Sequence, residues 1–311
     1  MDREFEQLIW NAAVEADCRR LVRMAIEEDL SGGQDWTTVS LVPAERRGAA
    51  DVVARQAGIV AGMPALVAAV DELGFDLSVA LQAEDATAME AGTVLATLSG
   101  SVRDLLTAER TLLNLLGRLM GIATRTAKFV QLASGSSARL YDTRKTTPGW
   151  RRLEKYAVRC GGGCNHRLGL ADAVLIKDNH LAQAAEAGGA ACDPAAAVQR
   201  AREFLSGPEG ARAGAPADPI IEIEVDSLEQ LADVLPAAPD IVLLDNMSSD
   251  QLSQAVAMRN DQAPGVQLEA SGGIREDTLR EIAATGVDRI SVGGLTHSAI
   301  ALDVALDWRA G

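Results

Sequence analysis

The chain has 311 residues, is 48% hydrophobic and carries a formal net charge of −15, with a sequence pI near 4.7. That length supports one large α/β domain with a smaller companion, and the acidic total argues against nonspecific nucleic-acid binding, which rests on cation contacts to phosphates. No run of about 18 uncharged apolar residues occurs and the start MDREFEQLIW is acidic, so neither a membrane span nor a signal peptide is expected and a cytoplasmic location is the default.

In chain order, residues 1–30 predict a helix pair, with Leu8, Ile9, Ala13, Leu21, Met24 and Ile26 at helical spacing. A break at Ser31-Gly32-Gly33 follows. Between Gly48 and Gly100 the pattern changes to short strands (ADVVARQ, LSVALQA, TVLATLSG), interrupted by a helix near Pro64–Leu73. From Asp104 a leucine-rich face predicts a long helical region running in segments to about Ala133. Lys128 on it reads as a surface residue.

Beyond Ala138 the architecture repeats. Apolar runs at 138–141, 173–176, 220–225, 241–244, 266–270 and 289–292 are separated by helix-compatible segments. They end in Asp142-Thr143-Arg144-Lys145, Lys177-Asp178-Asn179-His180, Glu224, Asp245-Asn246, Ser271-Gly272-Gly273 and Gly293-Gly294. Chemistry at the carboxyl end of every strand predicts a β/α barrel rather than an open doubly wound sheet with one switch point. Residues 205–219, rich in Gly, Ala and Pro, read as a surface excursion.

Residues 139–180 form a basic island: nine Lys/Arg stand against four acids, and three of the chain's four lysines lie there. Clustered cations in an anionic protein focus a field that draws small anions, so the island predicts a site for a multiply charged small molecule. Ser271-Gly272-Gly273 and Gly293-Gly294 let backbone N–H groups approach a phosphate, with a helix N-terminus expected beyond each pair. His297 either faces the same anion or caps the last helix. Glu224 and Asp245 end apolar strands and should point into the barrel mouth, with Glu222 deeper on the same face. They serve as structural ion pairs with Lys145 or Lys177, or steady a cationic transition state or Mg²⁺. Arg151, Arg152, Lys155 and Arg159 recur at helical spacing and predict a solvated or rim face. Cys18, Cys160, Cys164 and Cys192 contain no CxxC pair and read as reduced thiols; Cys160, Cys164 and His166 lack the fourth ligand of a structural zinc site.

The run DTRKTTPGWRRLEKYAVRCGGGCNHRLGLADAVLIKDNH, preceded by Glu109-Arg110-Thr111-Leu112-Leu113-Asn114 and followed by EIEV, LLDNM, EASGGI and SVGGLTHS, closely resembles the quinolinate phosphoribosyltransferases (carboxylating nicotinate-nucleotide pyrophosphorylases). The likeness extends from Gln34-Asp35-Trp36-Thr37-Thr38 almost to the carboxyl end. It implies an N-terminal α/β sandwich over 1–117, rejoined by a last helix within 298–311, and an incomplete, roughly seven-stranded α/β barrel over 118–297. The implied reaction joins quinolinate to 5-phosphoribosyl 1-pyrophosphate with Mg²⁺, giving nicotinate mononucleotide, pyrophosphate and CO₂ in de novo NAD synthesis.

On this resemblance Arg110, Arg144 and Arg167 are clamps for the diacid, with His166 and Lys177 completing the pocket. Glu224 and Asp245 steady the ribosyl cation, directly or through Mg²⁺, and Lys145 meets the pyrophosphate or the ribosyl group. Ser271, Gly272, Gly273, Gly293, Gly294 and His297 hold phosphate. Arg110 sits far upstream on the long helix, and its family counterpart enters the neighbouring subunit's site, which implies a homodimer. One departure is Met120, where the family often has serine; methionine there alters packing rather than chemistry. Two other readings share the barrel. A phosphoribosyltransferase-like protein of molybdenum uptake would not need the arginine and histidine set. A noncatalytic phosphosugar sensor would need the glycine pairs but not Glu224, Asp245 and Lys145 together.

Overall fold

The computed structural model describes residues 3–184, 192–215 and 219–309. Among these residues, twelve strands run in chain order: β1 (Arg47–Ala54), β2 (Gly58–Ile59), β3 (Leu77–Leu81), β4 (Ala88–Met89), β5 (Val94–Ser101), β6 (Arg139–Tyr141), β7 (Ala173–Ile176), β8 (Ile220–Val225), β9 (Ile241–Asp245), β10 (Gln267–Ser271), β11 (Arg289–Ser291) and β12 (Val304–Trp308). They divide between two compact units that interleave along the chain. One comprises residues 1–6, 129–144 and 164–293; the other comprises 7–128, 145–163 and 294–311.

The first unit is built on six strands in the order β6-β11-β10-β9-β8-β7, parallel at every pairing. A single isolated parallel bridge joins Tyr141 to Cys164 at the β6 edge, so among the described residues the barrel sheet has six strands where about seven were expected. Strand β8 shows how the sequence builds two faces. Ile221, Ile223 and Val225 fall on one side, and Ile220, Glu222 and Glu224 on the other, because side chains alternate with period two. The same alternation sets Gln267, Glu269 and Ser271 apart from Leu268 and Ala270 on β10. Residues 205–219 are not wholly irregular: Pro208 opens a short helix, Pro208–Ala213, closed by Gly214 at φ 75°, while 216–218 of that stretch lie outside the described residues.

In the second unit the sheet order is β12-β1-β5-β3, antiparallel throughout, and β2 pairs with β4. The chain does return to this sheet at its end, but as a strand and not a helix: Val304–Trp308 pairs with β1 from Ala54 to Ala50. The β-type sequence VALDW supplies an edge that β1 would otherwise leave unpaired. The expected helix pair at the start is one helix, Ala12–Leu30, because Asn11 caps it by accepting from the backbone N–H of Ala13 and Val14. The leucine-rich segment is likewise one uninterrupted helix, Val102–Leu132. Met120 on it is completely buried, as a packing residue should be, and Lys128 is exposed.

Helix Arg151–Cys160 overturns the solvated-face expectation for its cations. Lys155 is completely buried, and Arg152 donates to Asp17 Oδ2 at 2.8 Å. Buried Glu154 also receives Arg118 Nη2 at 2.6 Å and Thr147 Oγ1 at 2.8 Å. Part of this charged face is thus turned inward, with Asp17 from elsewhere in the unit meeting Arg152, a pairing helical spacing cannot reveal.

Candidate active site

The first unit carries most of the expected site. Asp142, which opens the DTRK run, is completely buried. It accepts from Asn165 Nδ2 at 2.7 Å and from the His166 backbone N–H at 2.9 Å. One buried carboxylate therefore ties the Asn165-His166-Arg167 loop to the end of β6. Arg167 itself is buried, and its Nη1 donates to Ala173 O at 3.2 Å. Its guanidinium is held below its ordinary pKa by burial and then by the nearby charge of Arg144. Arg144 Nε is buried without a hydrogen-bond partner. The two guanidiniums lie close enough to repel, and one of them has a buried donor without a partner, an arrangement suited to an anion.

His166 faces inward. Its Nε2 lies 3.0 Å from Glu222 Oε2 and 3.5 Å from Glu269 Oε1, and its Nδ1 accepts the Arg167 N–H at 2.8 Å. Burial lowers the imidazole pKa, but Glu222 and then Glu269 outweigh it and hold the ring above its ordinary value. These three residues also form a group whose donor atoms all lie within 4.8 Å and could hold a metal ion. The Nε2 of His166 faces both fully buried carboxylates, and Glu269 also has a cation in Arg289 at 2.8 Å. Glu222 is deep, as its position in β8 predicted: it is completely buried, with Oε2 held at 3.0 Å from His166 Nε2.

At the strand ends, Lys177 pairs with Glu224. Asp245 accepts from Asn246 Nδ2 at 2.7 Å. The register places Glu224 beside Leu243, two residues before Asp245 on the same face of β9, and pairs Asp245 with Ser271. Two carboxylates on neighbouring parallel strands are oxygen donors of the kind a hard divalent cation takes. Gly272 follows at φ 88°, where an added Cβ would meet Asn246 Oδ1 at 2.3 Å and Asn246 N at 2.9 Å. Glycine is required there by conformation and by space. The helix expected directly beyond Gly273 does not start there. Residues 274–278 intervene, and the next helix is the short Leu279–Ala284, so the backbone turn rather than a helix dipole faces any anion at Ser271–Gly273.

Four expected site residues belong to the second unit. Lys145 is exposed, and its carbonyl accepts from Thr296 Oγ1 at 2.8 Å. Gly294 opens the four-residue helix Gly294–His297, and its carbonyl accepts from Arg125 Nε at 2.7 Å. His297 ends that helix, exposed, with Nδ1 2.8 Å from Ser298 Oγ. Arg110 projects from the Val102–Leu132 helix with 64% of its side chain exposed and pairs with Glu109 at 2.8 Å.

Sequence reasoning missed Glu269, Arg289 and Glu4. Arg289 is completely buried; it donates to Glu269 through Nε and to Glu4 Oε1 through Nη1 at 2.9 Å, and its guanidinium lies 3.7 Å from the Tyr141 ring centroid. The signal for the first two was present: charged residues at alternate positions of β10 and β11, on the same face as Ser271 and Ser291.

Comparison with known proteins bears directly on this arrangement. The family model described as quinolinate phosphoribosyl transferase, N-terminal domain, matches residues 35–120, and the C-terminal domain model matches residues 122–307. The chain belongs to the quinolinate phosphoribosyltransferase family. Among similar members, the nicotinate-nucleotide pyrophosphorylase [carboxylating] of Mycobacterium leprae is 45% identical over 291 residues, covering 93% of this chain and 96% of the relative. A probable enzyme of the same name from Bacillus subtilis is 37% identical over 93% of this chain and 92% of its own length. The solved nicotinate-nucleotide pyrophosphorylase of Francisella tularensis superposes with a TM-score of 0.84 at 35% identity, covering 99% of this chain and all of that one. The quinolinate phosphoribosyltransferase family thus accounts for both units, and its C-terminal domain model contains every expected site residue except Arg110, which lies in the N-terminal one.

Proposed function

We propose that this protein joins quinolinate to 5-phosphoribosyl 1-pyrophosphate with loss of CO₂, forming nicotinate mononucleotide and pyrophosphate in de novo NAD biosynthesis. The observation that carries the reading is that Arg144, with a buried Nε lacking a partner, lies near enough to the buried Arg167 guanidinium to lower its pKa. Quinolinate bears two adjacent carboxylates, and planar guanidinium forks match them with charge-assisted hydrogen bonds. The diacid then neutralises the repulsion between the two arginines. His166 braces the pocket through Arg167 rather than through a spare ring nitrogen, since both nitrogens face protein groups.

The pyridine nitrogen attacks the anomeric carbon as pyrophosphate departs, and positive charge spreads over C1 and the ring oxygen of the ribose. Glu224 and Asp245 stabilise that charge from one side, with Lys177 fixing the Glu224 carboxylate in place. Once the ring nitrogen is alkylated, the carboxylate at the neighbouring carbon leaves as CO₂. The ring cation holds the electron pair until a proton replaces the lost group. Ser271, Gly272 and Gly273 offer a close backbone approach for phosphate oxygens, aided by Gly293, Gly294 and His297, while Lys145 meets the pyrophosphate.

Magnesium belongs to this reading. Glu224 and Asp245 would hold it, together with substrate phosphate oxygens, and it would neutralise the departing pyrophosphate. A homodimer also belongs to it, with Arg110 of one copy entering the other copy's site; its exposed guanidinium, tied among the described residues only to the adjacent Glu109, supports that role. The four cysteines are free thiols, in keeping with a cytoplasmic setting, and no helix among the described residues is long and apolar enough to cross a membrane. The test is incubation of the purified protein with quinolinate, phosphoribosyl pyrophosphate and Mg²⁺. CO₂ and the mononucleotide should appear together; binding of the phosphosugar without turnover would favour a sensor instead.

A further inference from the structure

The residues Arg3–Glu6 are separate in sequence from everything the reaction uses, yet they belong to the barrel unit. Phe5 is 5% exposed and clusters with Ala173, Ile220 and Ile241, the first residues of β7, β8 and β9. It therefore fills the base of the barrel, at the end opposite the carboxyl ends of the strands. Its ring lies 4.3 Å from the His166 ring, tilted by 30°, and 5.0 Å from the Arg289 guanidinium. Glu4 accepts from Arg289 Nη1 at 2.9 Å, Tyr141 Oη at 2.8 Å and Arg139 Nη2 at 2.8 Å. Arg3 donates to Asp240 Oδ1 at 2.8 Å, pinning the segment at its start.

We propose that this amino-terminal plug is a positioning element for quinolinate binding, in which Phe5 and Glu4 fix His166 and, through it, the Arg167 clamp. Phe5 supports Arg167 by two routes. It packs against the imidazole whose Nδ1 holds the Arg167 backbone N–H, and it shares a cluster with Ala173, whose carbonyl receives the Arg167 guanidinium. Glu4 acts through charge. Arg289 divides its guanidinium between Glu4 and Glu269, and Glu269 in turn faces His166 Nε2. Without the Glu4 carboxylate, Arg289 is left with Glu269 and the neutral Gln267 Oε1 at 3.2 Å, so it draws harder on Glu269, and the hold of Glu269 on the imidazole weakens. Residues at the base of a barrel ordinarily contribute stability only. Here two of them connect to the substrate end through a continuous set of side chains.

This inference rests on the quinolinate reading of the pocket, and the experiment separates the two. In the full-length protein, kcat and KM for each substrate, thermal unfolding and the ¹⁵N shifts of the His166 ring are measured for Phe5→Ala, Phe5→Leu and Glu4→Gln. The His166 signals are identified by their loss in His166→Gln. Phe5→Ala should raise the quinolinate KM by about tenfold while kcat and the phosphoribosyl pyrophosphate KM stay within about twofold, the pattern of lost ground-state positioning. Phe5→Leu, which keeps the bulk, should recover most of that loss, and Glu4→Gln, which keeps the shape, should raise the same KM about threefold and shift the His166 ¹⁵N signals. Should Phe5→Ala fail to fold, the other two variants carry the test. Folded variants with unchanged quinolinate KM, or with equal losses for both substrates, overturn the proposal. If the wild-type protein does not turn over quinolinate, the functional reading fails on its own; unchanged His166 shifts in Glu4→Gln would then still overturn the plug.

Discussion

Arg289 donates through Nε to Glu269 Oε2 at 2.8 Å, and both side chains are completely buried. Each charge is a main partner of the other, beside Glu4 for Arg289 and His166 for Glu269, so removing one should be worse than removing both. Glu269→Ala is expected to destabilise the protein by about 3–5 kcal/mol, whereas a joint Glu269→Leu and Arg289→Met replacement should cost much less. Denaturant unfolding of the single and double variants checks this, and equal losses would contradict it.

Arg144 should behave in the opposite way. Its charge lowers the pKa of Arg167, and its buried Nε has no partner among the described residues, so removing it relieves a repulsion while depriving the proposed diacid of a clamp. Arg144→Ala is expected to raise the quinolinate KM by about 10- to 100-fold, the equivalent of one or two charge-assisted hydrogen bonds. Thermal stability should hold or rise. Arg144→Lys should recover little, because a point charge lacks the planar fork.

His166 gives stability a defined dependence on pH. Its folded pKa is raised above the ordinary value of 6.5 by Glu222 and Glu269 against burial. Its stabilising contribution is therefore fully present below about 6.5 and is lost as pH rises through the raised folded value. The difference in unfolding free energy between wild type and His166→Gln should shrink across that window, and a constant difference from pH 6 to 9 would show that the ring does not titrate there.

Gly272→Ala tests the turn that follows β10. The new Cβ would meet Asn246 at 2.3 Å and 2.9 Å with φ at 88°, a strain of about 1–3 kcal/mol. Displacing Asn246 also disturbs its hydrogen bond to Asp245. The phosphoribosyl pyrophosphate KM should rise more than the quinolinate KM, as read from initial rates.

Arg110→Ala and Glu224→Ala should each remove most activity. Mixed and allowed to exchange subunits, the two inactive proteins should regain about a quarter of the wild-type rate, because half of the dimers are hybrids and one of the two sites in each hybrid is intact. No recovery, with exchange demonstrated by mass, would contradict a site completed by Arg110 of a second copy.

The order of strands, the strand-end motifs and the concentration of cations between Arg139 and His180 were legible in the sequence, because each is local: alternation of period two, glycine in a turn, charge against an acidic background. The same local logic failed wherever a partner comes from far along the chain. Helical spacing made Lys155 look solvated, but it is buried, and an acidic, mixed start to the chain gave no hint that Glu4 would meet Arg289, 285 positions away. By itself, the sequence determined the barrel and the family, and it set the expectation that Arg144 and Arg167 clamp a diacid and that the glycine turns hold phosphate. Only the tertiary structure decided which charges are inside and what neutralises them, because desolvation is set by what surrounds a group in space, and neighbours in space need not be neighbours in the chain.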